Sequence, residues 1–254
     1  MERVIAGLPV VTGPEWQGVT YFCTTRAGGV GVAPHDTLNL GLRAEDDPEA
    51  VAENRRRVRA AVSAEPVWLR QVHGSEVVDA DAPDVPAEPA VDASVTAQPG
   101  RVLAVMVADC LPVVIADAEG TVLGAAHAGW RGLAGGVLEK TLQAMRAKTP
   151  QASGWRAWVG PGIGPQHFEV GQDVVDAFAT DDPATARFFA PRPGLAGKWL
   201  ADLAGLADYR LRRAGVQKVY LSGECTVTHK DRYFSYRRDG VTGRMALLAW
   251  LNPV

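Results

Sequence analysis

Two histidines and a cysteine carry the chemistry that can be read first. His73 closes the apolar stretch that begins at residue 66 and precedes Gly74. Asp109-Cys110 follows the Val-rich run 102–108, and the run 121–126 delivers His127 into the turn Ala128-Gly129-Trp130-Arg131-Gly132. Two imidazoles and one thiolate are the ligand set of an open zinc site, in which a fourth position stays free. Such a metal lowers the pKa of bound water or polarises an oxygen ligand. The intervals from 73 to 110 and from 110 to 127 match no short zinc motif, so the three groups act together only if the fold gathers their strand ends. Alone, Cys110 reads as a small core residue before it reads as a ligand or nucleophile. With His127 as base it would instead be a nucleophile, a role that a metal-bound thiolate cannot share.

The other polar candidates surround this set. Arg26-Ala27-Gly28-Gly29 offers a guanidinium and backbone N–H groups to an anion, or is simply a hairpin turn with a surface Arg. Asp109, Asp92 and Glu169 are the acid/base candidates; Asp92 stands unusually within a β-like segment and either faces the pocket or caps a turn. Arg237 and Arg238 bind phosphate or form an exposed basic turn. A helix following His127 directly would bring free N–H groups and a positive dipole end to the site.

The elements that must position these groups follow from pattern. Strands are expected at 19–25, 67–72, 77–79, 91–96, 102–108, 112–116, 121–126, 155–160, 216–222 and 244–251. Asp47-Pro48 starts a helix running to about residue 63; further helices are expected at 133–148, 172–179 and 200–214, the last stopped by Gly215. Residues 160–165 form a Gly/Pro loop, and 180–198 is read as an irregular surface excursion. No repeat or boundary interrupts the pattern, so residues 1–254 are expected to be one α/β domain.

With 254 residues, 47% of them hydrophobic, the chain can bury a sizeable core. A net charge of -3, from 26 basic and 29 acidic residues, gives no drive toward nucleic acid or membrane. Three scattered cysteines make no disulfide framework, the start lacks a signal-peptide pattern, and no apolar run reaches transmembrane length. A cytoplasmic location is expected.

The blocks QVHG (71–74), ADCLPVVIAD (108–117), AAHAGWRG (125–132), GPGIGP (160–165) with FEVG (168–171), and CT (225–226) followed by FSYRRDG and TGR (234–244) resemble the laccase-like polyphenol oxidase family. Its members are also known as purine nucleoside phosphorylases and as peptidoglycan editing factors, and the match runs from about residue 20 to 251. The resemblance implies zinc on His73, Cys110 and His127. It implies a four-layer α/β/β/α sandwich, two mixed sheets between helices, similar to the deamidase domain of cytotoxic necrotising factors. It implies phosphorolysis of adenosine, inosine, guanosine or methylthioadenosine, and adenosine deamination by a metal-activated water. Cys110, His127 and Asp109 are then the catalytic candidates, and Arg26, Asn39, Arg43, Arg131 and Arg237 those for substrate and phosphate. The partners are nucleosides and phosphate, with the chain a monomer or weak homodimer. Five histidines with no His-x-His pair cannot build a multicopper oxidase centre, although Cu²⁺ competes for N/S sites in vitro. A Cys110/His127 hydrolase in peptidoglycan precursor editing and a non-catalytic metal-binding protein are the alternatives.

Overall fold

The apolar runs become strands buried on both faces, which is why they read as nearly continuous rather than alternating. In the computed structural model, which describes residues 1–253, every residue of Leu111–Asp117 and of Leu123–Ala128 is buried. These two strands are the centre of a six-stranded mixed sheet. Its order is Lys218–Leu221, Trp155–Val159, Leu111–Asp117, Leu123–Ala128, Ala93–Thr96 and Val77–Asp79, with parallel pairing at both edges only.

Leu103–Val107 joins a second, antiparallel sheet instead, beside Met245–Leu251, Val19–Thr24, Leu8–Val11 and Glu2–Ile5. Alternation along Met245–Leu251 shows how the layers meet. Met245, Leu247 and Ala249 pack with Val114, Leu123 and Trp158 of the other sheet, whereas Ala246, Leu248 and Trp250 face Val58 of the helix Pro48–Ala60 and Val62 just beyond it. Helices Val137–Lys148, Gln172–Ala179 and Leu203–Arg213 cover the outer face of the six-stranded sheet. The expected α/β/β/α layering is therefore present in a single-domain α/β architecture.

Four local expectations are corrected. A third sheet exists: Glu169–Gly171, Lys198–Ala201 and Phe189–Pro191 pair antiparallel within the stretch read mostly as irregular, and Asp182 caps a 3-10 turn at Pro183–Phe188. The 200–214 helix starts later, at Leu203, where Asp202 accepts from Gly205 N. The 133–148 helix is two, Trp130–Ala134 and Val137–Lys148, because Gly136 between them adopts a left-handed φ of 85°. Residues 67–72 form no strand beyond a bridge from Val67 to Leu103. There the Gln71 side chain replaces a ladder, its amide donating to Met106 O and accepting from Met106 N, both at 2.7 Å. Among the described residues, no helix is long and apolar enough to cross a membrane.

Candidate metal centre

The fold brings the three side chains together, His73 from a loop rather than from the expected strand end. Ligand atoms of His73, Cys110 and His127 all lie within 4.8 Å of one another, and the imidazole centroids are 4.9 Å apart at 75°. His127 ends up there because it is the penultimate residue of the strand Leu123–Ala128, hydrogen-bonded through its N–H to Asp92 O at 2.7 Å. Cys110 sits in the tight connection between two strands of different sheets, after Asp109 with its φ of 89°. His73 also has a left-handed φ, 59°. Such backbone costs on the order of 1 kcal/mol or more and persists only where surrounding bonds impose it.

Asp92 imposes it at His73. This fully buried carboxylate accepts four hydrogen bonds: at Oδ1 from His73 N (3.0 Å) and His127 Nδ1 (2.8 Å), at Oδ2 from Val72 N (3.1 Å) and Gly74 N (2.7 Å). Burial opposes its charge, but His127 and the backbone donors outweigh that and hold the carboxyl below its ordinary value. Engaging Nδ1 leaves the Nε2 of His127 for a metal, the usual outer-shell arrangement. Asp92 thus turns from an ambiguous mid-strand residue into the group that orients two of three ligands.

Burial would push the Cys110 thiol up, yet the neighbouring His127 and His73 imidazoles bring it down to about 6, and His127 is raised in return by the thiolate and Asp92. These neighbours favour the thiolate, the form that binds metal. Gly129 leaves the space above it: a Cβ there would stand 2.9 Å from Cys110 Sγ and 3.1 Å from His73 Cδ2. The donor set and this gap fit a metal ion. Because φ at Gly129 is an ordinary -70°, Gly129→Ala adds bulk without backbone strain. Metal content by plasma emission spectrometry is expected to fall at least about tenfold while the melting temperature stays within a few degrees of wild type.

The three ligands open onto a cavity of about 570 Å³, within the usual range for small-molecule sites. Leu42, Leu69, Met106 and Phe168 make an apolar wall, and Arg43, Arg237 and Arg244 supply cations. The Arg237 guanidinium lies 5.3 Å from the Phe168 ring centroid, with Nη1 donating to Glu169 O. Arg244 Nη1 donates to Thr242 O and Gly243 O; its Nε and Nη2 have no partner among the described residues. Asp109 is used structurally, Oδ1 accepting from Thr226 Oγ1 at 2.5 Å and Oδ2 from Arg237 N at 2.6 Å.

Comparison with known proteins now has a site to refer to. The family described as multi-copper polyphenol oxidoreductase laccase matches residues 20–252. The chain belongs to this family. It is similar to the purine nucleoside phosphorylase YfiH of Escherichia coli, 46% identical over 244 residues, 94% of this chain and 97% of that one. It is 45% identical to the purine nucleoside phosphorylase PA4543 of Pseudomonas aeruginosa over the same shares of each chain. Among solved structures it resembles the Neisseria meningitidis protein NMB0706 with a TM-score of 0.88 at 46% identity, covering 96% of this chain and 98% of that one.

For a chain of the laccase-like family, the histidine distribution is informative. His35 is bound to Ala44 O, His167 to Thr228, and His229 faces Glu224, so only His73 and His127 of the five reach the centre. Of the five residues expected to bind substrate or phosphate, Arg43 and Arg237 line the cavity and three do not. Arg26 spends its guanidinium on Asp36 and on Lys230 O, over the Phe234 ring. Arg131 is exposed and stacks on Trp130 at 4.6 Å. Asn39 is buried behind the wall, accepting from Gly41 N and Arg244 N and donating to Asp46. Glu169 pairs with Arg192 rather than facing the cavity. Arg244, which the sequence reading did not single out, lines the cavity; its signal was the TGR block immediately before the last strand.

Proposed function

We propose that the chain is a cytoplasmic, zinc-dependent purine nucleoside phosphorylase, taking adenosine, inosine, guanosine or methylthioadenosine with phosphate to free base and ribose 1-phosphate, with adenosine deaminase activity at the same site. The observation that carries this reading is the sharing of one cavity by the His73–Cys110–His127 set and the free edge of the Arg244 guanidinium. Residues 1–254 act as one laccase-like domain.

In phosphorolysis the bond from the purine nitrogen to the ribose anomeric carbon breaks, a phosphate oxygen takes its place, and the base leaves with the proton that the hydrogen phosphate gives up. Arg244, with Arg237 and Arg43, holds the phosphate; fixed donors in a partly enclosed site cost no reorganisation when charge moves. The walls of Leu42, Leu69, Met106 and Phe168 exclude water and receive the base. Asp109 positions Thr226 and the Arg237 backbone, both of its oxygens accepting hydrogen bonds, and Asp92 is engaged by four donors. Zinc held by His73, Cys110 and His127 would supply Lewis-acid polarisation of an oxygen, or a water of lowered pKa for deamination. The donor number favours zinc with one open position over the several centres a multicopper oxidase requires.

Chromatography of adenosine and inosine reactions, with and without phosphate, tests this reading. Phosphate-dependent base release tracking bound zinc supports it, and no nucleoside turnover by metal-loaded protein removes it. Arg244→Ala is expected to lower kcat/KM for phosphate about a hundredfold, the loss of two charge-assisted hydrogen bonds, with zinc content unchanged. Wild-type phosphate kinetics in that variant would reassign the anion site.

A second reading has one observation in its favour: Asp92, His127 and Cys110 stand in series, as in a thiol hydrolase. His73 adjoins the thiol but stands outside the Asp92–His127–Cys110 relay, so its removal separates the two.

A further inference from the structure

We propose that Glu88 is a positioning residue for the phosphate side of the cavity, holding the Arg43 guanidinium in the wall. The inference rests on the phosphorylase reading, in which that side takes phosphate. Arg43 lines the mouth from the turn after Leu40, and its side chain is 60% exposed. Among the described residues its one side-chain partner is Glu88, with Nη2 donating to Oε2 at 3.0 Å. Left to itself, a long exposed arginine samples many rotamers, and ordering it costs entropy.

Glu88 can hold it because Glu88 is itself held. Its side chain is 22% exposed, and its other oxygen, Oε1, faces Arg55 Nη1 at 3.4 Å. Arg55 does not move freely: its guanidinium lies 4.2 Å from the Trp68 ring centroid, and its Nε donates to Leu40 O at 3.0 Å. The chain beside Glu88 is pinned too, with Pro89 O accepting from Arg70 N. One carboxylate therefore joins a free arm to a fixed one.

The sign of the effect follows from charge. Two guanidiniums sharing a carboxylate repel once that carboxylate is neutral. Arg55 is anchored, so Arg43 is the one that leaves for solvent. The cavity then presents fewer cations to an incoming phosphate, while the metal ligands and the apolar wall are untouched. Glu88 thus acts through Arg43, and the two substitutions are expected to be non-additive.

The test uses the full-length wild type, Glu88→Gln, Arg43→Gln and the double variant, with inosine and varied inorganic phosphate, and calorimetric titration of inorganic phosphate alone. Glu88→Gln is expected to raise KM for phosphate, and its Kd, about fivefold, the ceiling for an exposed ion pair. Its kcat, inosine KM and zinc content stay at wild-type values, and the double variant is no worse than Arg43→Gln. A wild-type phosphate KM and Kd in Glu88→Gln overturns the proposal; so does an additive double variant, or a loss confined to kcat. Absence of phosphate-dependent turnover in the wild type strikes the phosphorylase reading alone, provided calorimetry still shows phosphate binding weakened by Glu88→Gln. No phosphate binding by the wild type overturns both.

Discussion

His73→Ala is expected to reduce bound zinc from equimolar to trace, and phosphate-dependent release of hypoxanthine from inosine by more than about a hundredfold. Loss of an outer-shell partner alone commonly costs about 10- to 100-fold in metal affinity or activity, and here a ligand itself is removed. His73 is the most exposed of the three ligands, and its backbone N–H remains available to Asp92, so the fold should survive with little change in melting temperature. Atomic absorption on the purified variant, paired with chromatography of the reaction, provides the measurement. A variant that loses metal yet keeps hydrolytic turnover would transfer the activity to the Asp92–His127–Cys110 series. One that keeps zinc and full phosphorolysis would show that His73 is no ligand.

Asp92→Asn is expected to have the largest effect on stability. The amide is nearly isosteric, but its NH2 would meet the N–H groups of Val72 and Gly74, which now donate to Oδ2, or displace those at Oδ1. Leaving buried donors unpaired and the His127 ring unsupported should cost about 3 kcal/mol, read as a lower urea midpoint with an unchanged slope. Zinc affinity should fall about 10- to 100-fold because His127 loses the bond that orients it. The pH dependence has a definite sign. The folded carboxyl lies below its unfolded value of about 3.9, so its contribution is complete above that value and fades as pH falls through the folded one. The stability gap between wild type and Asp92→Asn should therefore narrow in acid. A gap that widens there would mean that the charge of Asp92 is not what stabilises the turn.

Legibility differed by the range over which each feature is decided. The central strands were readable because both their faces are buried, leaving unbroken runs such as 111–117. The Pro48 helix was readable because Asp47 and Pro48 act within one turn. The three candidate metal ligands were visible as types, although their convergence required segments from two regions of the chain. The third sheet was not readable: its strands at Glu169–Gly171 and Phe189–Pro191 have three residues each, too short to show a period of two. The arginines were hardest. Arg26 and Arg244 both adjoin glycine-containing blocks, but which one has free donors depends on distant carbonyls. Lys230 O, 204 positions away, and Asp36 together engage all three nitrogens of Arg26, while Arg244 keeps one edge open. Spacing along the chain carries no record of that.

The placement of Met245–Leu251 bears on how the molecule is made. This strand lies between Val19–Thr24 and Leu103–Val107, so the two flanks of the five-stranded sheet have nothing to join them while it is still in the ribosome. Arg244 arrives with it. A growing polypeptide can assemble the hairpin of Leu111–Asp117 and Leu123–Ala128, and with it Cys110 and His127, well before the cavity is closed. Assembly of the Cys110–His127 pair and completion of the cavity are thereby separated in time during synthesis, and the wait leaves Val19–Thr24 with an unpaired edge open to misassociation until translation has passed residue 251.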